Sequence, residues 1–347
     1  MLTIPVTPET EHLRLLGRMD RTSLPLALDW TGSGLEIHFQ GTSLWAELEA
    51  PASSPIFWMI VLADGCPVTR FPVEPGCRFY PLLLGMEAEQ HRVVTLIKET
   101  QCMPASPDAT VLVRSLRMDG HLLPLAPYAC RIEFIGDSLT SGEGSLAPHN
   151  NQEWITPWFS ATANYSFIAC RDLNAERRVL SQSGYGVCWD WQHDPAGNMT
   201  EPYERVVGVL HGPSAEQRGC QKLHDFSQWQ PDLVCVRLLS NDANGIKSQS
   251  SLEADRETVI RGCMRLVQLI RKNNPSAGIV WILPGTDAFP ELGAEAMLRL
   301  RNQGMDHLYT FTLPDYTEPD FGARAHPNAR WNEKAGHLLA DYLRTLL

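Results

Sequence analysis

The stretch Arg131-Ile-Glu-Phe-Ile-Gly-Asp-Ser-Leu-Thr-Ser-Gly-Glu-Gly144 decides how the chain is read. Its first five residues have the composition of a short buried strand. Gly136 and Asp137 break that strand, and Ser138 stands at the break. A serine where a strand ends and a helix begins offers a reachable hydroxyl beside the unpaired N–H groups of the helix start. Acyl transfer needs both, a nucleophile and donors aimed at the oxyanion that forms. A plain strand-to-helix turn capped by Ser or Asp accounts for the same residues. The residues toward the C-terminus separate the two readings.

Downstream, apolar runs of strand length alternate with helical periodicity. Strands are expected at 131–135, ending at 180, at 233–239, 279–283 and 308–313. Helices are expected at 158–173, 252–272 and 291–303, and from 328 to the C-terminus. Such alternation predicts a five-stranded parallel sheet covered by helices on both faces, a three-layer α/β domain. Ligands of such sheets bind beyond the strands' carboxyl ends, where Ser138 falls.

Upstream, the pattern is different. Leu26-Ala-Leu-Asp-Trp30, Leu35-Glu-Ile-His-Phe39 and Ile56-Phe-Trp-Met-Ile-Val-Leu-Ala63 are short runs punctuated by Gly and Asp-Gly turns. Val93-Val-Thr-Leu-Ile97 and Val111-Leu-Val-Arg-Ser-Leu116 continue the series. Many short strands with such punctuation predict an antiparallel β-sandwich, in jelly-roll form. Leu122-Leu-Pro-Leu-Ala-Pro-Tyr128 reads as the linker, giving domains over 1–127 and 128–347.

Each further site candidate lies just after an expected strand. In Ser181-Gln-Ser-Gly-Tyr-Gly186, two glycines in three residues let the backbone approach a bound group, though a plain glycine-rich loop is the better reading of the stretch taken alone. In Leu239-Ser-Asn-Asp-Ala-Asn244, Asn241 can offer a side-chain N–H to an oxyanion, or merely form an Asx turn. Asp242 reads as an organiser of that loop. In Ala325-His-Pro-Asn328, Pro327 stiffens the turn beside His326, and Asn328 can cap the last helix. A general base needs such a fixed position. His38, His91 and His337 read as surface or packed residues instead.

Composition excludes several classes. A net charge of -11 without a Lys/Arg run excludes a nucleic-acid partner. No apolar run approaches the ~18 residues of a membrane span. No metal-ligand spacing or phosphate-binding loop occurs, so no metal and no organic cofactor are expected. The pattern G-x-S-x-G of ordinary α/β-hydrolases is absent too. Nine scattered cysteines and no visible signal segment point to reduced thiols and a cytoplasmic protein.

Taken together, the four stretches resemble the SGNH (GDSL) hydrolase superfamily. The resemblance gives Ser138 in Gly136-Asp-Ser-Leu139 the place of the nucleophile and His326 that of the base. It gives the oxyanion hole to the Ser138 amide, the Gly186 amide with Gly184 as second choice, and the Asn241 side chain. Two positions depart from the pattern: Leu239 stands for a glycine, and Ala323 for the Asp three residues before the His. Ser138 and His326 then act as a dyad oriented by a backbone carbonyl, or Asp315, Asp320 or Glu333 reaches in. A sandwich preceding this domain is similar to the second carbohydrate esterase family, acetyl esterases with an N-terminal jelly roll. Leu28-Asp-Trp-Thr-Gly-Ser33, Phe39-Gln-Gly-Thr42 and Ile97-Lys-Glu-Thr100 extend the likeness.

That resemblance implies a carbohydrate O-acetyl esterase that removes acetyl groups from plant oligosaccharides of mannan or xylan type. Trp189, Trp191 and Trp331 are candidates for stacking on sugar, although core packing is the better reading of any one of them taken alone. The alternatives are a short-chain esterase or lipase acting on non-sugar esters and a degenerate carbohydrate-binding protein. The oligomeric state has no sequence signal.

Overall fold

Alternating apolar and polar residues build the N-terminal strands of the chain. In a computed structural model that describes residues 1–52, 55–247, 252–285 and 288–347, these are β1 (Leu2–Pro5), β2 (Leu13–Leu16), β3 (Leu26–Leu28), β4 (Gly34–Gln40), β5 (Ser43–Ala50) and β6 (Phe57–Ala63). They continue with β7 (Cys66–Val73), β8 (Gly76–Leu84), β9 (His91–Lys98), β10 (Val111–Met118) and β11 (His121–Leu123). One sheet runs β1-β10-β5-β8, with β3 also on β10; the other runs β11-β4-β9-β6-β7, with β2 on β4. Every pairing is antiparallel. Leu44, Ala46 and Leu48 of one sheet and Leu35, Ile37 and Phe39 of the other share one core, at the period of two that strands impose. At the end of β9, Lys98 is fully buried and donates to the carbonyls of Asp29, Thr100 and Gln101 at 2.7, 2.7 and 3.0 Å. Burial pulls its ammonium down to about 8.

The second half begins with β12 (Cys130–Gly136), α1 (Ser138–Ser141), α2 (Tyr165–Asp172) and β13 (Ala175–Ser181). Then comes Arg205–Lys222, with the short helix α3 (Pro213–Gln217). This segment packs with Met1–Pro127, not with the residues flanking it; Tyr128–Glu204 and Leu223–Leu347 form the other compact unit. Trp30 explains part of this: fully buried, it donates through Nε1 to the Val206 carbonyl at 2.9 Å. Arg18 donates to the Arg205 carbonyl at 3.1 Å, and Lys222 Nζ to Asp20 Oδ2 at 2.7 Å. Burial by itself raises the Asp20 carboxyl, but Lys222, Ser23 and Thr22 together hold it at about 2.

The chain resumes with β14 (Leu233–Arg237), α4 (Ser240–Lys247), α5 (Leu252–Asn273), β15 (Gly278–Leu283), α6 (Pro290–Asn302), β16 (Leu308–Thr312) and α7 (Ala329–Arg344). The sheet is parallel throughout, in the order β13-β12-β14-β15-β16. The direction of winding therefore reverses at β12, which makes its carboxyl end the switch point where open α/β sheets place ligands. Trp331, Ala335 and Leu339 of α7 and Tyr165 and Ala169 of α2 join Phe134, Cys235 and Val280 in its core.

The helix expected at 158–173 is shorter. Asn164 caps it, accepting from the Ser166 amide at 3.0 Å, so α2 starts only at Tyr165. Before it, Ser160 Oγ accepts from the amides of Thr162 and Ala163, and the backbone there is irregular. A further helix, α4, begins at Ser240, where the sequence pattern suggests a loop.

Candidate active site

Three residues make the turn after β12. A Cβ on Gly136 would lie 2.0 Å from Thr140 Oγ1, so only glycine lets α1 fold back this tightly. Asp137 caps α1, accepting from the Leu139 amide at 3.1 Å. Its other oxygen accepts from Arg237 at 2.8 Å, and both side chains are buried. This pair ties the end of β12 to the end of β14, and Arg237 also donates to Ser240 Oγ at 2.6 Å. Ser138 stands on the anchored turn.

Its Oγ lies 2.7 Å from His326 Nε2. The other ring nitrogen, Nδ1, faces the carbonyls of Ala323 and Arg324 at 3.2 and 3.0 Å. Carbonyls only accept, so Nδ1 carries the proton and Nε2 is left as the acceptor for the serine O–H. The tautomer is thus that of a general base. Arg324 and Ala325 hold the turn in the left-handed region, with φ of 53° and 57°. The amides of Ala323 and Arg324 donate to Gly144 O and Asn151 O at 3.3 and 2.6 Å. Asn328 caps α7, accepting from the Trp331 amide at 3.1 Å.

None of the three carboxylates considered at the sequence level faces the ring. Asp320 accepts from Thr317 at 3.1 Å, and Glu333 lies 4.0 Å from His337. Asp315 lines a neighbouring cavity of about 410 Å³ with Leu139, Tyr316, Phe321 and Ala325. The carboxylate that does approach is Glu143, whose Oε1 lies 3.9 Å from His326 Nδ1 and 3.0 Å from Arg324. Glu143 lies inside the opening stretch of the sequence, but the site function of that position rests on a partner 181 residues away.

Besides the Ser138 amide, the expected oxyanion donors come from the first turn of α4 and the glycine loop after β13. Asn241, in the first turn of α4, donates through Nδ2 to Tyr185 O at 2.8 Å, which uses one of its two amide hydrogens. Gly184 adopts φ +83°. Gly186 donates its amide to Gly197 O at 3.2 Å, so that N–H is already engaged within the loop. A Cβ at Gly186 would come within 2.4 Å of Asp242 Oδ2 and 2.3 Å of Trp189 O. Gly186 is the point where the loop presses against Asp242. Asp242 itself is fully buried and accepts from the amides of Val187 and Cys188 at 2.8 and 2.9 Å. Burial pushes its carboxyl up to about 6, against the pull of those amides.

The tryptophans separate clearly. Trp189 is buried, donates to Asp242 O at 3.1 Å and packs on His193. Trp331 is buried in the α7 core and donates to Pro314 O at 3.2 Å. Trp191 is 53 % exposed, and its amide bonds Gly184 O at 3.1 Å, which holds it beside the glycine loop. Trp154, in the stretch between α1 and α2, is a second exposed indole, packed edge-on against Phe159. Its polar surroundings in the sequence hid it.

No family model matches the chain. The cellulase/esterase CelE of Acetivibrio thermocellus is 26% identical over 254 residues, covering 72% of this chain and 28% of that protein. The chain thus spans little more than a quarter of CelE. An acetylxylan esterase / glucomannan deacetylase of Cellvibrio japonicus is 24% identical over 284 residues, 80% of this chain and 73% of the relative. Among solved structures, the acetyl xylan esterase Est2A of Butyrivibrio proteoclasticus superposes with a TM-score of 0.94 at 29% identity, covering 99% of this chain and 98% of the other. A family two carbohydrate esterase of Clostridium thermocellum in complex with cellohexaose gives 0.82 at 22% identity, over 96% and 98%.

Proposed function

We propose, from the premise that the relatives and structural neighbours of this chain include acetylxylan esterases, a glucomannan deacetylase and a family two carbohydrate esterase, that it removes acetyl groups from acetylated plant oligosaccharides. The observation that carries this reading is the 2.7 Å contact between Ser138 Oγ and His326 Nε2, with Nδ1 turned onto two carbonyls. Ser138 attacks the acetyl carbonyl while His326 Nε2 takes its proton. The oxyanion is held by the Ser138 amide, the Gly184 amide and the second hydrogen of the Asn241 side chain. Gly184 carries this role better than Gly186, whose amide is bound to Gly197. The imidazolium returns its proton to the leaving sugar hydroxyl. Water, deprotonated by the same nitrogen, then releases acetate and restores Ser138.

Trp191 supports the sugar part of the reading, because an exposed indole beside the oxyanion loop offers a face on which a pyranose ring can stack. Trp189 and Trp331 serve as packing. The two antiparallel sheets of the first unit are read as a jelly roll. All nine cysteines are free thiols, which supports a reducing compartment. No described helix is long and apolar enough to cross a membrane.

The test is acetate release from acetylated manno- and xylo-oligosaccharides by the wild type, Ser138→Ala and His326→Ala. Release by the wild type, lost in both variants, is expected. Hydrolysis of simple aryl acetates without acetate release from any sugar would overturn the sugar assignment and leave a short-chain esterase. Sugar binding with no turnover of either substrate would make it a binding protein.

A further inference from the structure

We propose that Glu143 is the charge partner of His326, a positioning residue that supplies electrostatically what the alanine at 323 cannot. This rests on the serine-esterase reading of the site and deepens it. Three observations carry it. Glu143 is a carboxylate with only 4 % of its side chain exposed, 3.9 Å from Nδ1 of the base. That distance is too long for a hydrogen bond, and the Nδ1 proton goes to the Ala323 and Arg324 carbonyls instead. The carboxylate therefore acts by charge alone, at a place where little water screens it.

Its second contact gives it a second task. The same Oε1 bonds the Arg324 guanidinium at 3.0 Å, on the residue whose carbonyl orients the ring. A cation so close to the base opposes the imidazolium that forms during attack. Glu143 cancels that cation and leaves the turn neutral until the proton arrives. Gly142 and Gly144 on either side, both with positive φ, bend the chain so that the carboxylate is carried under the histidine turn. A Cβ on Gly144 would stand 2.8 Å from Ala323 O and 3.2 Å from His326 Cβ, which shows how closely the two loops meet.

The experiment compares Glu143→Gln with Glu143→Asp, using para-nitrophenyl acetate turnover and the rate of Ser138 labelling by a fluorophosphonate probe. Turnover is expressed per titratable site, so a partly unfolded preparation does not pass for a slow enzyme. The Gln variant keeps the shape and loses the charge; the Asp variant keeps the charge and loses a methylene. We expect Glu143→Gln to lose roughly ten- to a hundredfold in kcat at nearly constant KM, with labelling slowed in parallel. Glu143→Asp should retain more kcat than Glu143→Gln. A Gln variant within twofold of the wild type, or one faster than the Asp variant, overturns the proposal. Arg324→Gln is the second variant: kcat kept or raised supports it, and a tenfold fall at constant KM overturns it. If the wild type neither labels nor turns over, the serine-esterase reading fails instead, which is a different result.

Discussion

Asn241 has two amide hydrogens, and the fold uses one of them. Its bond to Tyr185 O fixes the side chain, and the other hydrogen is the one assigned to the oxyanion in the proposed function. Asn241→Ala should therefore lower kcat about a hundredfold with little change in KM, as read by steady-state kinetics on an acetylated oligosaccharide. The neighbouring Asp242 makes a prediction about pH. Its folded carboxyl titrates at about 6, against an ordinary value of 3.8, because burial disfavours the charge. Between those values the folded protein holds a proton that the unfolded chain has released. Stability falls as pH rises through that window, by roughly 3 kcal/mol from this group alone, and is level above it. Urea unfolding from pH 4 to 7 should show this slope in the wild type and lose it in Asp242→Asn. Leu239 is a residue whose cost is visible: it takes the glycine position of the motif at φ +98°, and burial of its side chain offsets the strain.

At the scale of elements, the turn between β12 and α1 tolerates least. Gly136→Ala puts a methyl group into Thr140, and the helix start must move to accommodate it. An ångström of displacement at Ser138 is worth about a hundredfold in rate, so activity should fall by that order while far-UV circular dichroism is unchanged. At the end of β9, Lys98→Met would take a buried donor away from the carbonyls of Asp29, Thr100 and Gln101, at ~1 kcal/mol or more each, and cost about 3 kcal/mol in urea unfolding. The central strands β12, β14 and β15 were legible as largely apolar runs buried on both faces, whereas the edge strand β13 showed only at Val179 and Leu180, and β16 is mostly half-buried. The long helix α5 was legible from one apolar face. Trp158 and Ala161 misled, because their helical spacing spans a short 3-10 turn, Thr156–Trp158, and the irregular stretch after it, where Ser160 satisfies the amides of Thr162 and Ala163. In the site, Ser138 and His326 could be read from local turns that each element makes alone. Glu143 and the engaged amide of Gly186 could not, since both depend on which loop lies opposite.

For the whole molecule, the informative feature is the segment Arg205–Lys222, which belongs to the unit built from the first 127 residues. No composition shift marks it; what holds it are single contacts at long range, Trp30 to Val206 and Asp20 to Lys222. A fragment of residues 1–127 alone should leave Trp30 uncovered and melt at a lower temperature than one with 205–222 appended through a Gly/Ser linker. Thermal unfolding of the two fragments, with Trp fluorescence as the probe, checks this. The same arrangement bears on how the protein is born. Nascent chains commonly finish their N-terminal part first, while the ribosome is still working. Here the N-terminal part waits for Lys222 to be translated and to clear the exit tunnel, a delay on the order of ten seconds at ~10 residues per second. Through that interval the leading sheets stay unfinished, and a chaperone has its longest opportunity to engage them.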